Sequence, residues 1–256
     1  MSEAVYDVLA AQAAAYVRGR PDYPVALEEW LRSDLGLGEA KIAVDLGSGT
    51  GKFLPRLLAV GVKVIAIEPL AAMRGHLEVL FPHVDAREGR VEAIPLADSS
   101  VDAVICAACF HLFANTRALA EIHRVLKPGG ALGLVWNIRD AAVPWVASII
   151  EIMAPYDHGP SHHFHYESQE WRKVFPADGF SQLQQRTFVN PQIGSPENVI
   201  IDRVLSVSAI AKLPQAERDD VIARVRNVIA NTPELAGKSE VIFPNTTYAY
   251  SCRKSA

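Results

Sequence analysis

The chain has 256 residues, half of them hydrophobic, which suffices for one large α/β core or for one such core with an added cap. Its formal net charge of -4 excludes the clustered cationic surface that phosphate backbones require, so no nucleic-acid partner is expected. Cys106, Cys109 and Cys252 are too few, and odd in number, for a disulfide framework, which predicts a reducing, cytoplasmic setting.

From the start of the chain, residues 1–21 are alanine-rich, but Glu3, Asp7 and Gln12 interrupt them, and they lack the basic start and apolar run of a signal peptide. The longest apolar stretch beyond them, 103–110, is much too short to span a membrane, so a soluble protein is expected. Four nearly continuous, β-branched apolar runs, 42–46, 62–67, 101–106 and 131–136, read as strands buried on both faces. Helical stretches fall between them at 53–60, 71–80 and 116–126, with 83–88 as a shorter edge strand. This alternation predicts right-handed crossovers and a parallel sheet covered by helices on both sides.

The helix over 116–126 carries the clearest signals. Asn115 is placed to cap it, Leu119, Ile122, Val125 and Leu126 form its apolar stripe, and Pro128-Gly129-Gly130 is expected to end it. Residues 138–177 hold His158, His162, His163, His165, Tyr156, Tyr166 and Trp171 and read as helices and loops of a cap. A strand over 180–189 follows, then helices over 196–211 and 215–231. In the latter, Val221, Ile222, Val225, Val228 and Ile229 face the core, opposite Glu217, Asp220, Arg224 and Arg226. A closing strand over 241–252, paired with 180–189, would make an antiparallel edge.

The central signal is VDLGSGTG at 44–51, between the first strand and the following helix. Glycines at alternate positions allow a sharp turn and the approach of a ligand without a Cβ in the way. Alone, the loop says only that a nucleotide-type ligand sits at a strand end. A dinucleotide fold calls for G-x-G-x-x-G with a pyrophosphate over the helix N-terminus. Here Lys52 stands at the third glycine position and Asp45 flanks the loop. A carboxylate there repels a pyrophosphate and attracts the ammonium of a methionine moiety, which favours S-adenosylmethionine. Glu68, ending the second strand, is placed to accept hydrogen bonds from both hydroxyls of a ribose, whether adenosyl or NAD.

VDLGSGTG, the following IEP, EGRVEAIPLADSSVDAV, AACFHLF and EIHRVLKPGG occur in the order and spacing of class I S-adenosylmethionine-dependent methyltransferases, which the chain resembles over residues 40–137. The likeness is closest to the small-molecule branch that includes trans-aconitate and ubiquinone/menaquinone-pathway methyltransferases. The segment YVRGRPDYP, residues 16–24, resembles the N-terminal lid of that branch. The resemblance implies a Rossmann-like, doubly wound, mostly parallel sheet with an antiparallel edge strand and a helical cap. It implies a single domain over 1–256: a lid at 1–40, a donor-binding core at 41–137, and cap insertions at 138–178 and 194–236. S-adenosyl-L-methionine is the implied cofactor and a small molecule the implied substrate.

By the same resemblance, Asp45, Gly47 and Gly49 would line the methionine and ribose portion, with Ser48 and Gly51 shaping the loop. Glu68 would hold the ribose, and Pro69 and Met73 would pack near the adenine. Val91 and Glu92 match the positions flanking the adenine edge; Val91 departs from the usual smaller alanine, which would narrow that pocket. Ala107 would sit beside the sulfonium, and Tyr16 and Arg20 would close over the methionine carboxylate. The acceptor pocket would be formed by residues 16–23, His111, Trp136, Asn137 and the cap.

The methyl of a sulfonium is already activated, so such an enzyme chiefly aligns donor and acceptor, an effect worth roughly 7–11 kcal/mol. A general base is needed only where the acceptor must lose a proton. His111, just past the 101–106 strand, is the best candidate for that role; the alternative is a histidine that merely shapes the pocket.

Other candidates are weaker. Cys106 and Cys109 lack the second pair of a zinc ribbon and read as packing at the end of the strand. His163, His165 and Glu167 would share a face in an extended segment, but no further ligand converges by spacing, and no metal is expected. An NAD(P)-dependent oxidoreductase and a non-catalytic module that binds an adenosyl ligand are the competing readings.

Overall fold

The computed structural model describes residues 18–156, 166 and 168–255. They form two compact units. The larger comprises residues 23–136, 166 and 168–188, and 247–255; the smaller comprises 18–22, 137–156 and 189–246.

The larger unit carries α1 (Leu27–Ser33), β1 (Ile42–Leu46), α2 (Leu54–Ala59), β2 (Lys63–Ile67), α3 (Ala71–Leu80), β3 (Asp85–Arg87), β4 (Val101–Ala107) and α4 (Thr116–Val125). With β5 (Leu126–Arg139), β6 (Gln184–Val189) and β9 (Asn245–Arg253), they build a seven-stranded sheet ordered β3-β2-β1-β4-β5-β9-β6. Strands β1 to β5 are parallel, in the register Asp45↔Ala66 and Asp45↔Ile105. β9 reverses direction. Asp140 N donates to the Pro244 carbonyl near one end of its pairing with β5, and Lys254 N to the Gly130 carbonyl near the other. The order switches beside β1, and the carboxyl ends of β1 and β4 meet where ligands of such sheets bind.

The apolar runs explain this layout. Ala43, Val44, Ala103, Val104, Ile105, Ala131, Leu132 and Leu134 are wholly buried, as strands covered on both faces must be. Asn115 accepts from Ala118 N at 2.9 Å and so caps α4 as its sequence predicts. The expectation that Pro128-Gly129-Gly130 ends that helix is corrected. β5 already starts at Leu126, which pairs with Val101, and the Pro-Gly-Gly run lies within it, where its register against β4 shifts. The helix is closed instead by Ser99 N and Ser100 N, which donate to the carbonyls of Arg124 and Val125. The strand expected over 180–189 begins only at Gln184, with Phe180 bridging Lys254 on its own. α1, not foreseen from the sequence, buries Leu27, Trp30 and Leu31 completely, at helical spacing.

The smaller unit packs α5 (Pro144–Met153) and α8 (Gln215–Asn231) around Val146, Ile149, Ile200, Val204, Val221, Val225 and Phe243. The helix expected over 196–211 is broken into a π-helical turn at Glu197–Ile201, α6 (Asp202–Leu205) and α7 (Ser208–Ala211). Ser206 Oγ donates to the Arg203 carbonyl at 2.7 Å, competing locally with the helical ladder at the break. The closing strand expected over 241–252 is likewise two. β8 (Val241–Phe243) pairs antiparallel with β7 (Gln192–Gly194), and Pro244, which cannot donate, separates it from β9.

Candidate functional site

At the end of β1 the chain turns back over the tip of β2, with Gly47 N and Ser48 N donating to the Ile67 carbonyl at 2.8 and 3.2 Å. The turn requires left-handed backbone at Gly47 and Gly51, where close approach also forbids a side chain. A Cβ on Gly47 would lie 3.0 Å from Cys109 Sγ, and one on Gly51 2.9 Å from the Phe81 ring. Gly49 is also left-handed, but a Cβ there would meet nothing within 4 Å. It is the loop glycine whose bare face opens outward.

Glu68 ties that loop to β2. Its Oε2 accepts from Gly49 N at 2.8 Å and its Oε1 from Leu70 N at 2.9 Å, while Arg74 Nη1 donates to its carbonyl at 2.9 Å. Burial still pushes the carboxyl above its usual range, against the two backbone N–H groups and Arg74, which act to lower it. Each oxygen keeps acceptor capacity beyond the bond it makes.

Asp45 is the anomaly. It is fully buried on β1, and neither carboxylate oxygen has a hydrogen-bond partner among the described residues. The hydroxyls of Ser48 and Thr50, in the same loop, are also buried without partners among these residues. Burial, with the neighbouring Glu68 carboxylate second, pushes Asp45 up to about 7. Buried polar groups in folded proteins are almost always satisfied, so such a cluster points to a ligand. The donor set fits a ligand bringing N–H donors and positive charge, as the ammonium of a methionine moiety does. A pyrophosphate would meet two carboxylates.

The other expected donor-site residues of the larger unit lie after β2, after β3 and at the end of β4. Pro69 is half-buried at the end of β2 and Met73 is buried in the first turn of α3. Glu68 N donates to the Arg87 carbonyl at 3.1 Å, and Gly89 packs so closely that a Cβ there would lie 2.8 Å from Ile67. Gly89 therefore lies beside the tip of β2; in the segment that follows, Val91 is buried and Glu92 exposed. Ala107 is half-buried at the end of β4. Just beyond it Cys109 Sγ–H donates to the Leu46 carbonyl at 3.0 Å, fastening the end of β4 to the glycine turn. The neighbouring Cys106 thiol, burial, and the Asp45 and Glu68 carboxyls push its thiol well above the usual range.

His111 lies in the short 3-10 turn Phe110–Leu112, and its Nδ1 accepts from Trp136 Nε1 at 3.0 Å. Thr50, Arg74 and Cys109 were not foreseen as site residues; Trp136 was expected in the acceptor pocket, but its bond to His111 was not foreseen. Thr50 stood inside the glycine motif. Arg74 reaches back to the Glu68 carbonyl six residues earlier, whereas Cys109 and Trp136 act through contacts between distant parts of the chain that no local pattern announces.

Arg20 belongs to the smaller unit, where its Nε donates to Ser206 Oγ at 3.0 Å and its Nη2 to the Ser206 carbonyl at 3.2 Å. Tyr16 and the residues His158, His162, His163, His165 and Glu167 lie outside the described residues. Among the described ones no group of three or more potential metal ligands converges, and no helix is long and apolar enough to cross a membrane.

Comparison with known proteins gives a consistent result. A family model described as a methyltransferase domain matches residues 44–134. A methyltransferase-like protein of Schizosaccharomyces pombe is 39% identical over 243 residues, covering 94% of this chain and 93% of its own. An uncharacterized methyltransferase of Mycobacterium tuberculosis is 36% identical over 233 residues, covering 91% and 90%. The ubiquinone/menaquinone biosynthesis C-methyltransferase of Rubrivivax gelatinosus is 43% identical over 96 residues, only 34% of this chain and 36% of its own. Among solved structures, a proposed type II methyltransferase from Anaeromyxobacter dehalogenans superposes with a TM-score of 0.66 at 23% identity, covering 92% and 97%.

Proposed function

Because this chain belongs to the methyltransferase family, we propose that it transfers the methyl group of S-adenosylmethionine to a small-molecule acceptor. The observation that carries the choice of donor is Asp45, a fully buried carboxylate with no partner among the described residues, beside the outward-facing Gly49. When bound, the sulfonium compound supplies a methyl group already activated for displacement. Asp45, with the hydroxyls of Ser48 and Thr50, receives the ammonium end of the donor. Glu68 receives the ribose hydroxyls, using the acceptor capacity left by Gly49 N and Leu70 N. Pro69, Met73, Val91 and Glu92 flank the adenine, and Ala107 stands by the reacting centre. The chain reads as one methyltransferase domain, with a lid at 1–40, a donor-binding core at 41–137 and cap insertions at 138–178 and 194–236.

The likeness to the quinone-pathway enzyme covers only 34% of this chain, so it does not support a quinone acceptor. A reducing, cytoplasmic setting is part of the reading, supported by three thiols that are all free and buried.

Thermal unfolding with S-adenosylhomocysteine and, separately, with NADH tests the donor assignment. Saturation at about a hundred times Kd stabilises a protein by about 2.7 kcal/mol. Stabilisation is expected from S-adenosylhomocysteine alone; stabilisation by NADH alone would overturn the reading in favour of an oxidoreductase.

A further inference from the structure

We propose that Trp136 is a positioning residue that holds His111 as its neutral Nε2–H tautomer, so that this ring donates a hydrogen bond and does not serve as a general base. The argument begins with the indole. Trp136 ends the buried run of β5 and is only 2% exposed, so its N–H needs an acceptor inside the protein. Its orientation is fixed by an aromatic wall. The ring lies 4.8 Å from Trp171, 5.1 Å from Tyr166 and 5.9 Å from Tyr250, centroid to centroid. The Tyr166 and Tyr250 hydroxyls are joined at 2.7 Å, which ties two sides of that wall together.

The indole N–H so aimed meets His111 Nδ1 at 3.0 Å. An indole nitrogen only donates, so Nδ1 must present its lone pair, and the single proton of the neutral ring sits on Nε2. A doubly protonated ring would set two N–H groups face to face across that distance and leave a buried indole without its acceptor. A base working through Nε2 would need the opposite tautomer, with the proton on Nδ1.

On this proposal His111 does not take the general-base role expected from the sequence, where only its residue type and its place after β4 were visible. It also bears on the acceptor, on the premise that the proposed methyl transfer takes place beside this ring. An Nε2–H donor suits an acceptor group that arrives already deprotonated, such as a carboxylate. It does not suit one whose proton His111 would have to remove.

Nitrogen-detected NMR of the histidine rings, assigned through a His111→Gln control, tests the tautomer directly in the whole 256-residue chain at neutral pH. The expected result is a single neutral Nε2–H signature for His111 in the wild type, lost in Trp136→Phe, which keeps a large ring but no N–H. A wild-type His111 carrying its proton on Nδ1, or on both nitrogens, would overturn the proposal whether or not the variant folds. So would a Trp136→Phe spectrum with the His111 signature unchanged. Repeating the measurement with S-adenosylhomocysteine separates the two claims. A persistent Nε2–H signature in a protein that binds none of that ligand would support the Trp136–His111 pairing and sink the methyl-transfer reading alone.

Discussion

Two aspartates on neighbouring strands of one sheet have opposite fates. Asp102, at the start of β4, accepts from Ile42 N at 3.0 Å, Lys41 Nζ at 3.0 Å and Lys127 Nζ at 2.9 Å. Burial acts to raise its pKa, but these donors outweigh it and hold the carboxyl below the usual range. Asp45, near the end of β1, is fully buried with no partner among the described residues and sits at about 7. The fold satisfies an acid at one end of its sheet and leaves another unsatisfied at the ligand-facing end. A buried unpaired carboxylate costs stability, and such a cost persists where function uses it.

The largest expected effect comes from removing the unsatisfied end. Asp45→Ala and Glu68→Ala should each weaken S-adenosylhomocysteine binding by roughly 10- to 100-fold, since a hydrogen bond to a charged group is worth about 1.5–3 kcal/mol. Calorimetry giving both variants wild-type affinity would defeat the donor-site assignment. Asp102→Ala should do the reverse. It strips partners from two half-exposed lysines and from one strand N–H, costing about 1–2 kcal/mol of stability in urea unfolding, with donor affinity unchanged. A variant that lost donor affinity as well would erase the distinction between the two ends.

The contrast also has a pH signature. The folded-state pKa of Asp45 is raised from 3.8 to about 7, so between those values the folded protein holds a proton that the unfolded chain has released. Its contribution is therefore fully present below about pH 4 and is lost as pH rises towards 7, at most about 1.4 kcal/mol per pH unit. Asp102 runs the other way: its stabilisation is present above its ordinary value of 3.8 and is lost only as pH falls below that. Subtracting the stability–pH curve of Asp45→Asn from that of the wild type should isolate a falling slope between pH 4 and 7. A flat difference would mean that Asp45 ionises normally in the fold.

How much of this could be read from the sequence follows from how local each cause is. The strands of β1, β2, β4 and β5 were legible because burial on both faces writes itself as an unbroken apolar run, and the Asn115 cap because its partner is three residues away. The glycine turn and Glu68 were legible as a motif. That Asp45 lacks a partner was not, since it depends on what every neighbouring element fails to provide. The Trp136–His111 bond joins residues 25 apart and exists only because parallel pairing brings the ends of β4 and β5 side by side. The break at Pro244 was legible within the 241–252 run, because a proline there cannot donate to the ladder.

The finest test sets two glycines against each other, one at each end of the sheet. Gly49 and Gly129 both have left-handed backbone, and a Cβ on either would meet nothing within 4 Å. The hydrogen bonds that Gly129 makes through its N–H to Lys254 and its carbonyl to Arg253 do not involve the missing side chain. Replacing either by alanine should therefore cost the same backbone strain, about 1 kcal/mol in urea unfolding. Only Gly49→Ala places its methyl over the turn flanked by Asp45 and Glu68, so only that variant should also lose severalfold in S-adenosylhomocysteine affinity. Equal affinities in the two variants would mean that the ligand does not approach the bare face of Gly49.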